Sequence, residues 1–199
     1  RGAIPIVPVY VDSPLSLKAT EIHKKHMGYY NALTQEMLQA NDDPFKFPGL
    51  KFTQSVDESK ALNEVKGPVV IISASGMCEG GRIQHHLKNN IGDPLNIVLI
   101  TGFQAENTLG RRIVERQPIV KIFGEEYELK ATVYTINELS AHADKTGLTN
   151  YAKALGKTVK RAFCVHGEPD YCEAHKKNLE NIGIRRVDIP VSGQLFENV

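Results

Sequence analysis

The sequence predicts an α/β chain: a mostly parallel sheet flanked by helices, followed by a shorter αβ portion. Three observations carry this. Apolar, β-branched runs of strand length (residues 4–11, 50–53, 69–72 and 96–101) alternate with longer segments of helical period. The connections between them are rich in Gly, Pro, Ser and Asn, and several offer a residue able to cap a helix. After Pro118 the next apolar runs lie close enough together to form a hairpin.

Residues 4–11 read as a buried strand with prolines at its start. Asp12-Ser13-Pro14 then opens a helix, with Ser13 as the cap and Pro14 in the first turn. Leu17, Ile22, Met27, Tyr30, Leu33 and Met37 trace an apolar stripe that carries this helix to about Ala40. A loop interrupted by Pro and Gly (42–49) leads to a strand at 50–53 and a helix over 57–65. Residues 69–72, Val-Val-Ile-Ile, form the clearest buried strand, with a helix at 80–89 after it. A strand at 96–101 and a helix at 108–115 follow. Such alternation argues for a mostly parallel sheet covered on both faces. Residues 119–123, a turn at Gly124-Glu125-Glu126 and residues 127–136 read as an antiparallel hairpin. A helix at 145–155, a strand at 161–165, a helix at 169–181 and a strand at 186–191 complete the chain. The change of rhythm places a boundary near residues 115–120.

Composition excludes several classes. With 199 residues, 41% hydrophobic and 24% charged, the chain is an ordinary globular sequence. A net charge of +1 argues against a uniformly basic nucleic-acid glove and leaves room for a local basic face. The three cysteines, Cys78, Cys164 and Cys172, lack redox or zinc spacing, which suits a reducing cytoplasm. No apolar stretch reaches transmembrane length, so no membrane partner is expected. The chain begins at Arg1, as a fragment would.

Two histidine segments stand out: Glu138-Leu-Ser140-Ala-His142-Ala-Asp144 and Val165-His166-Gly-Glu168-Pro169. Each closes an apolar run where a strand ends and a helix begins, the position from which side chains line the cleft of an open α/β sheet. Two imidazoles there suit metal binding or proton transfer. No His-x-His cluster, Cys-x-x-Cys pair or His-Glu-x-x-His helix accompanies them, so a metal site is at most partly present.

Two glycine-rich turns complete the candidates. The first, Ser73-Ala-Ser75-Gly76-Met-Cys-Glu-Gly80-Gly81-Arg82, lets a backbone approach a ligand closely, and Ser73, Ser75 and Arg82 could add donors to a phosphate. A tight strand-to-helix connection that binds nothing accounts for the same residues. The second turn is Thr101-Gly-Phe-Gln-Ala105-Glu-Asn-Thr108-Leu-Gly-Arg111-Arg112, where Thr108 can cap a helix. Arg111 and Arg112 in its first turn run against the helix dipole and call for an anion. Solvated surface arginines account for them as well. Neither turn is a Walker loop or a dinucleotide fingerprint.

These segments, in this order and with Val9-Tyr-Val-Asp-Ser-Pro-Leu15 near the start, resemble the β-CASP branch of the metallo-β-lactamase superfamily. Its members are RNA-processing nucleases such as the pre-mRNA cleavage endonuclease and ribonuclease J. The resemblance implies a β-CASP cassette over residues 1–117 and the returning C-terminal part of a metallo-β-lactamase domain over 118–199. It implies that His166 is a zinc ligand, with two zinc ions in the complete protein. It also implies that His142 transfers a proton to the leaving group and that Ser140 holds a backbone phosphate. Ser73, Ser75, Gly76, Arg82 and Thr108 would then contact single-stranded RNA. The resemblance leaves room for a homodimer.

The family's His-x-His-x-Asp-His motif, third histidine, fourth-motif aspartate and acidic motif A residue are absent. Asp12 belongs to the cassette's first strand-to-helix turn and is not motif A. The fragment alone should therefore not cleave RNA, because one histidine cannot hold two zinc ions. The competing reading is a non-catalytic module that binds RNA or a partner. Among the other histidines, His23, His26 and His175 read as surface residues. His85 and His86 point to different helix faces, and by resemblance one of them reaches the cleft. Lys153, Lys157, Lys160 and Arg161 read as a solvated helix face or an extension of the RNA path.

Overall fold

The structure is a computed structural model that describes residues 5–43, 45–139 and 142–196, with only the backbone of Lys157. By packing it divides into two units, residues 1–140 and 141–199.

In the first unit, β1 (Val9–Asp12) leads into α1 (Pro14–Lys25) through Ser13, whose side chain accepts the N–H of Ser16 at 3.2 Å. The expected single helix to Ala40 is broken. A 3-10 turn at Met27–Tyr29 intervenes before α2 (Ala32–Gln39). Asn31 caps the new helix by accepting Thr34 N–H at 2.9 Å, and the Gln35 amide donates to Tyr30 O at 2.8 Å. This capping, together with the low helix propensity of Gly28, outweighs a continuing apolar stripe. The stripe does not build a core either, since α1 and α2 bury no residue fully.

The chain continues through β2 (Leu50–Phe52), α3 (Val56–Ala61), β3 (Val70–Ser73), α4 (Arg82–Asn90), β4 (Ile97–Ile100) and α5 (Leu109–Val114). Strand β1 lies between β2 and β3, parallel to both, with Val9 opposite Leu50 and Val70 and Asp12 opposite Ser73. The α/β class with parallel strands is therefore the fold of this chain. β3 is an edge strand and not a fully buried one: Val70 and Ile72 are 43% and 52% exposed while their neighbours are half-buried.

The expected hairpin is shorter than the sequence suggested. β5 (Ile119–Ile122) pairs antiparallel with β6 (Glu125–Glu128). The two turn residues are Phe123 and Gly124, both at positive φ, which matches the twist of two-residue hairpins. The next strand, β7 (Thr132–Thr135), leaves the hairpin and pairs parallel with β4, Ile97 opposite Thr132. Strand β7 is thus tied to the first unit by long-range pairing that no local signal encodes. The unit's core is Cys78, Leu87, Ile91, Ile100, Leu109, Ile113, Val120, Ile122 and Val133, lying between α4, α5 and the strands β4, β5 and β7.

The second unit holds α6 (Lys145–Leu155), β8 (Ala162–Phe163), α7 (Pro169–Asn181) and β9 (Val187–Asp188), with β8 and β9 parallel. Its core is Ala152, Cys164, Cys172, Leu179, Ile184 and Val187. Among the described residues no helix is long and apolar enough to cross a membrane.

Candidate nucleic-acid turns and active-site histidines

The first glycine-rich turn starts where β3 ends. The Ser73 hydroxyl donates to the carbonyl of Asp12 at 3.0 Å. Inside the turn, Ser75 N–H donates to Gly80 O at 3.2 Å, Cys78 N–H to Ser75 O at 3.1 Å and Ile83 N–H to Ala74 O at 3.3 Å. Gly81 has φ +81°, and a Cβ there would lie 2.6 Å from Ala74 O, so this position admits only glycine. Ser75 and Gly76 face solvent, and Ser73 is half-buried.

The second turn is laced to the first. The Gln104 amide donates to Gly76 O at 3.1 Å as well as to the carbonyls of Gly102 and Phe103. Gly110 N–H donates to Met77 O at 3.0 Å, and Leu109 N–H donates to the Glu79 carboxylate. Between the turns Cys78 is 2% exposed. Burial, aided by the negative charge of Glu79, pushes its thiol pKa up to about 11.

Thr108 caps α5, accepting Arg111 N–H at 3.2 Å and donating to Ala105 O at 2.7 Å. The first N–H groups of α5 are therefore all satisfied within the protein. The anion that its basic first turn calls for is also internal: Glu79 at the helix start, and Glu115, which accepts from Arg111 Nε at 2.6 Å. Any phosphate contact by Thr108 competes with this capping.

Arg82, the first residue of α4, is likewise engaged. Its Nη1 lies 2.6 Å from Oδ1 of Asp12 and its Nη2 donates to Gln54 O at 3.1 Å. His86, one helical turn on, is 5% exposed and places Nε2 2.6 Å from Oδ2 of the same carboxylate. Of the two adjacent rings, His86 thus faces inward, while His85 packs against Phe123 with the rings tilted and centroids 4.7 Å apart. The sequence does not reveal Asp12 as the partner of both residues: it lies 70 and 74 positions from them, and only the parallel pairing of β1 with β3 brings it to α4.

In the second unit, His142 is exposed and precedes Asp144, whose carboxylate caps α6 by accepting Gly147 N–H at 2.6 Å. Ser140 lies outside the described residues. His166, also exposed, has φ +63° between β8 and α7. A Cβ at Gly167 would lie 2.9 Å from Cys172 Sγ, which explains the small residue after it. Glu168 occupies the cap position of α7 without capping it, and its Oε1 is buried with no hydrogen-bond partner. Arg161 is not on a solvated face. Its guanidinium is 4.8 and 4.7 Å from the Phe163 and Phe196 rings and its Nε is 2.6 Å from Asp188.

His166 is open to solvent, and the orphan Glu168 oxygen two residues away could hold an imidazole ring from behind. Among the described residues, however, no three His, Cys, Asp or Glu side chains are grouped to hold a metal ion. These residues alone do not fit a zinc centre.

Residues 1–113 match the β-CASP domain, and residues 126–190 match the Zn-dependent metallo-hydrolase RNA specificity domain. Ribonuclease TTHA0252 of Thermus thermophilus is 35% identical over 84% of this chain and 38% of its own length. An RNase J-like protein of Methanocaldococcus jannaschii is 34% identical over 84% of the chain and 37% of its own length. Transcription termination factor FttA of Methanosarcina mazei is 31% identical over 86% and 28%. The chain thus spans less than two fifths of the length of these curated relatives.

Proposed function

Since the chain belongs to the β-CASP family of metallo-β-lactamase nucleases, we propose that the protein carrying it is a zinc-dependent ribonuclease acting on single-stranded RNA in the cytoplasm. Residues 1–117 act as the cassette and 118–199 as the returning metallo-β-lactamase portion. The observation that supports this best is that the segment matching an RNA specificity domain of Zn-dependent hydrolases contains both His142 and His166.

In this reading His166 donates one metal ligand and the other ligands lie outside the described residues. Glu168 is its outer acceptor, in preference to Asp144, which is engaged as a helix cap. His142 protonates the departing ribose oxygen, a task an imidazole performs well near neutral pH. Ser75, Gly76 and Ser140 receive the RNA backbone, and Ser73 does so only by giving up its bond to the Asp12 carbonyl. Thr108 and Arg82 reach it only by exchanging the internal contacts described above.

The test is zinc content and RNA cleavage of the whole protein beside its His142→Ala and His166→Ala variants. About two zinc ions per chain, with cleavage lost in either variant while RNA binding persists, is the expected result. A metal-free, inactive protein that still binds RNA would instead make this a binding module.

A further inference from the structure

The most deeply buried charge of the first unit has no part in the reading above. Asp12 is 0% exposed, yet its carboxylate is surrounded by donors. Ser59 donates to Oδ2 at 2.6 Å, Thr53 donates to Oδ1, and Arg82 and His86 close the ring, each at 2.6 Å. A buried ion pair is a weak source of net stability, because apolar residues of similar volume do as well; its attested use is to fix one arrangement. Here that arrangement is the first glycine-rich turn. Ser73, where the turn begins, is bonded to the Asp12 carbonyl, and Arg82, where it ends, is bonded to the Asp12 carboxylate. Both ends of a ten-residue loop are fastened to one residue.

We propose that Asp12 is a positioning residue for RNA binding. It fixes the span of turn 73–82 that presents Ser75 and Gly76, with Ser73 and Arg82 as its two fastening points. This rests on the RNA reading above. Arg82 then contributes to binding through Asp12, not as a phosphate contact.

The two roles separate by salt dependence. Each phosphate contact to a single strand contributes about 0.7 to the slope of log K against log salt. The full chain and its Asp12→Asn, Arg82→Gln and doubly substituted forms are titrated with a labelled oligouridylate of about 12 nucleotides. Amide exchange of Ser75, Cys78 and Ile83, which are hydrogen-bonded across or beside the turn, is followed in the same proteins. Both single variants should exchange faster at these amides and bind about tenfold more weakly, with the salt slope unchanged. The double variant should be no worse than the weaker single. A slope reduced by about 0.7 in Arg82→Gln, or turn amides unchanged in a folded Asp12→Asn, overturns the proposal. Should Asp12→Asn fail to fold, Arg82→Gln decides alone by the same two readouts. A wild-type chain that does not retain the oligonucleotide strikes the RNA reading itself, whereas unchanged amide exchange strikes only the role of Asp12.

Discussion

Nη1 of Arg82 sits 2.6 Å from Oδ1 of Asp12, across seventy residues of sequence. Burial pushes this carboxyl pKa up, but hydrogen bonds from Ser59, Thr53, His86 and Arg82 together outweigh it and hold it at about 2, below the ordinary 3.8. The folded state keeps the carboxylate charged where the unfolded chain would protonate it. The resulting stabilisation, on the order of 2 kcal/mol, is present above pH ~4 and is lost as pH falls toward 2. Thermal unfolding followed from pH 6 to pH 2 should show the midpoint dropping in that window, and Asp12→Asn should flatten the drop.

Gly110 is buried in α5, and a Cβ there would lie 1.7 Å from Gln104 Oε1 and 3.0 Å from Met77 O. Gln104 cannot step aside without giving up its bond to Gly76. Gly110→Ala should destabilise the first unit by about 1–3 kcal/mol, read by denaturant unfolding. Gly110→Ala combined with Gln104→Ala should lose less than the two single costs added together.

Cys78 should resist alkylation in the native chain. Its thiol is covered and its pKa is near 11, so at pH 8 little thiolate exists to react. Mass spectrometry after iodoacetamide treatment, native against urea-unfolded, should show modification of Cys78 only in the unfolded sample.

Arg161 packs over both the Phe163 and Phe196 rings, which touch each other edge-on, and bonds Asp188 through Nε. Lysine keeps the charge but lacks the planar group that stacks and the fork that pairs. Arg161→Lys should lower the unfolding midpoint of the second unit by about 4 °C, and a midpoint equal to wild type would show the stack to be idle.

Locally written signals were legible in the sequence. The helices Lys145–Leu155 and Pro169–Asn181 have the expected ends, because Asp144 caps the first and Pro169 opens the second. Ser13 and Thr108 cap as expected for the same reason. Contacts between distant segments were not legible. The apolar spacing of Leu17 to Met37 does not reveal that Asn31 restarts the helix, and the run through Ile136 does not reveal that β7 pairs with β4. Arg82 reads as a phosphate donor and Thr108, by resemblance, as an RNA contact, but spacing alone cannot say that Asp12, Gln54 and Ala105 already hold them. The carboxylates that satisfy Arg82, Leu109 N–H and Arg111 come from Asp12, Glu79 and Glu115 respectively, and only the last is a sequence neighbour of its partner.

The lacing of Gly76, Met77 and Glu79 to Gln104, Gly110 and Leu109 bears on how relatives of this chain can be recombined. A chimera that imports one loop alone would bring three partners with nothing to meet. Residues 73–82 and 101–110 therefore form a single unit of exchange, and a swap must carry both halves together.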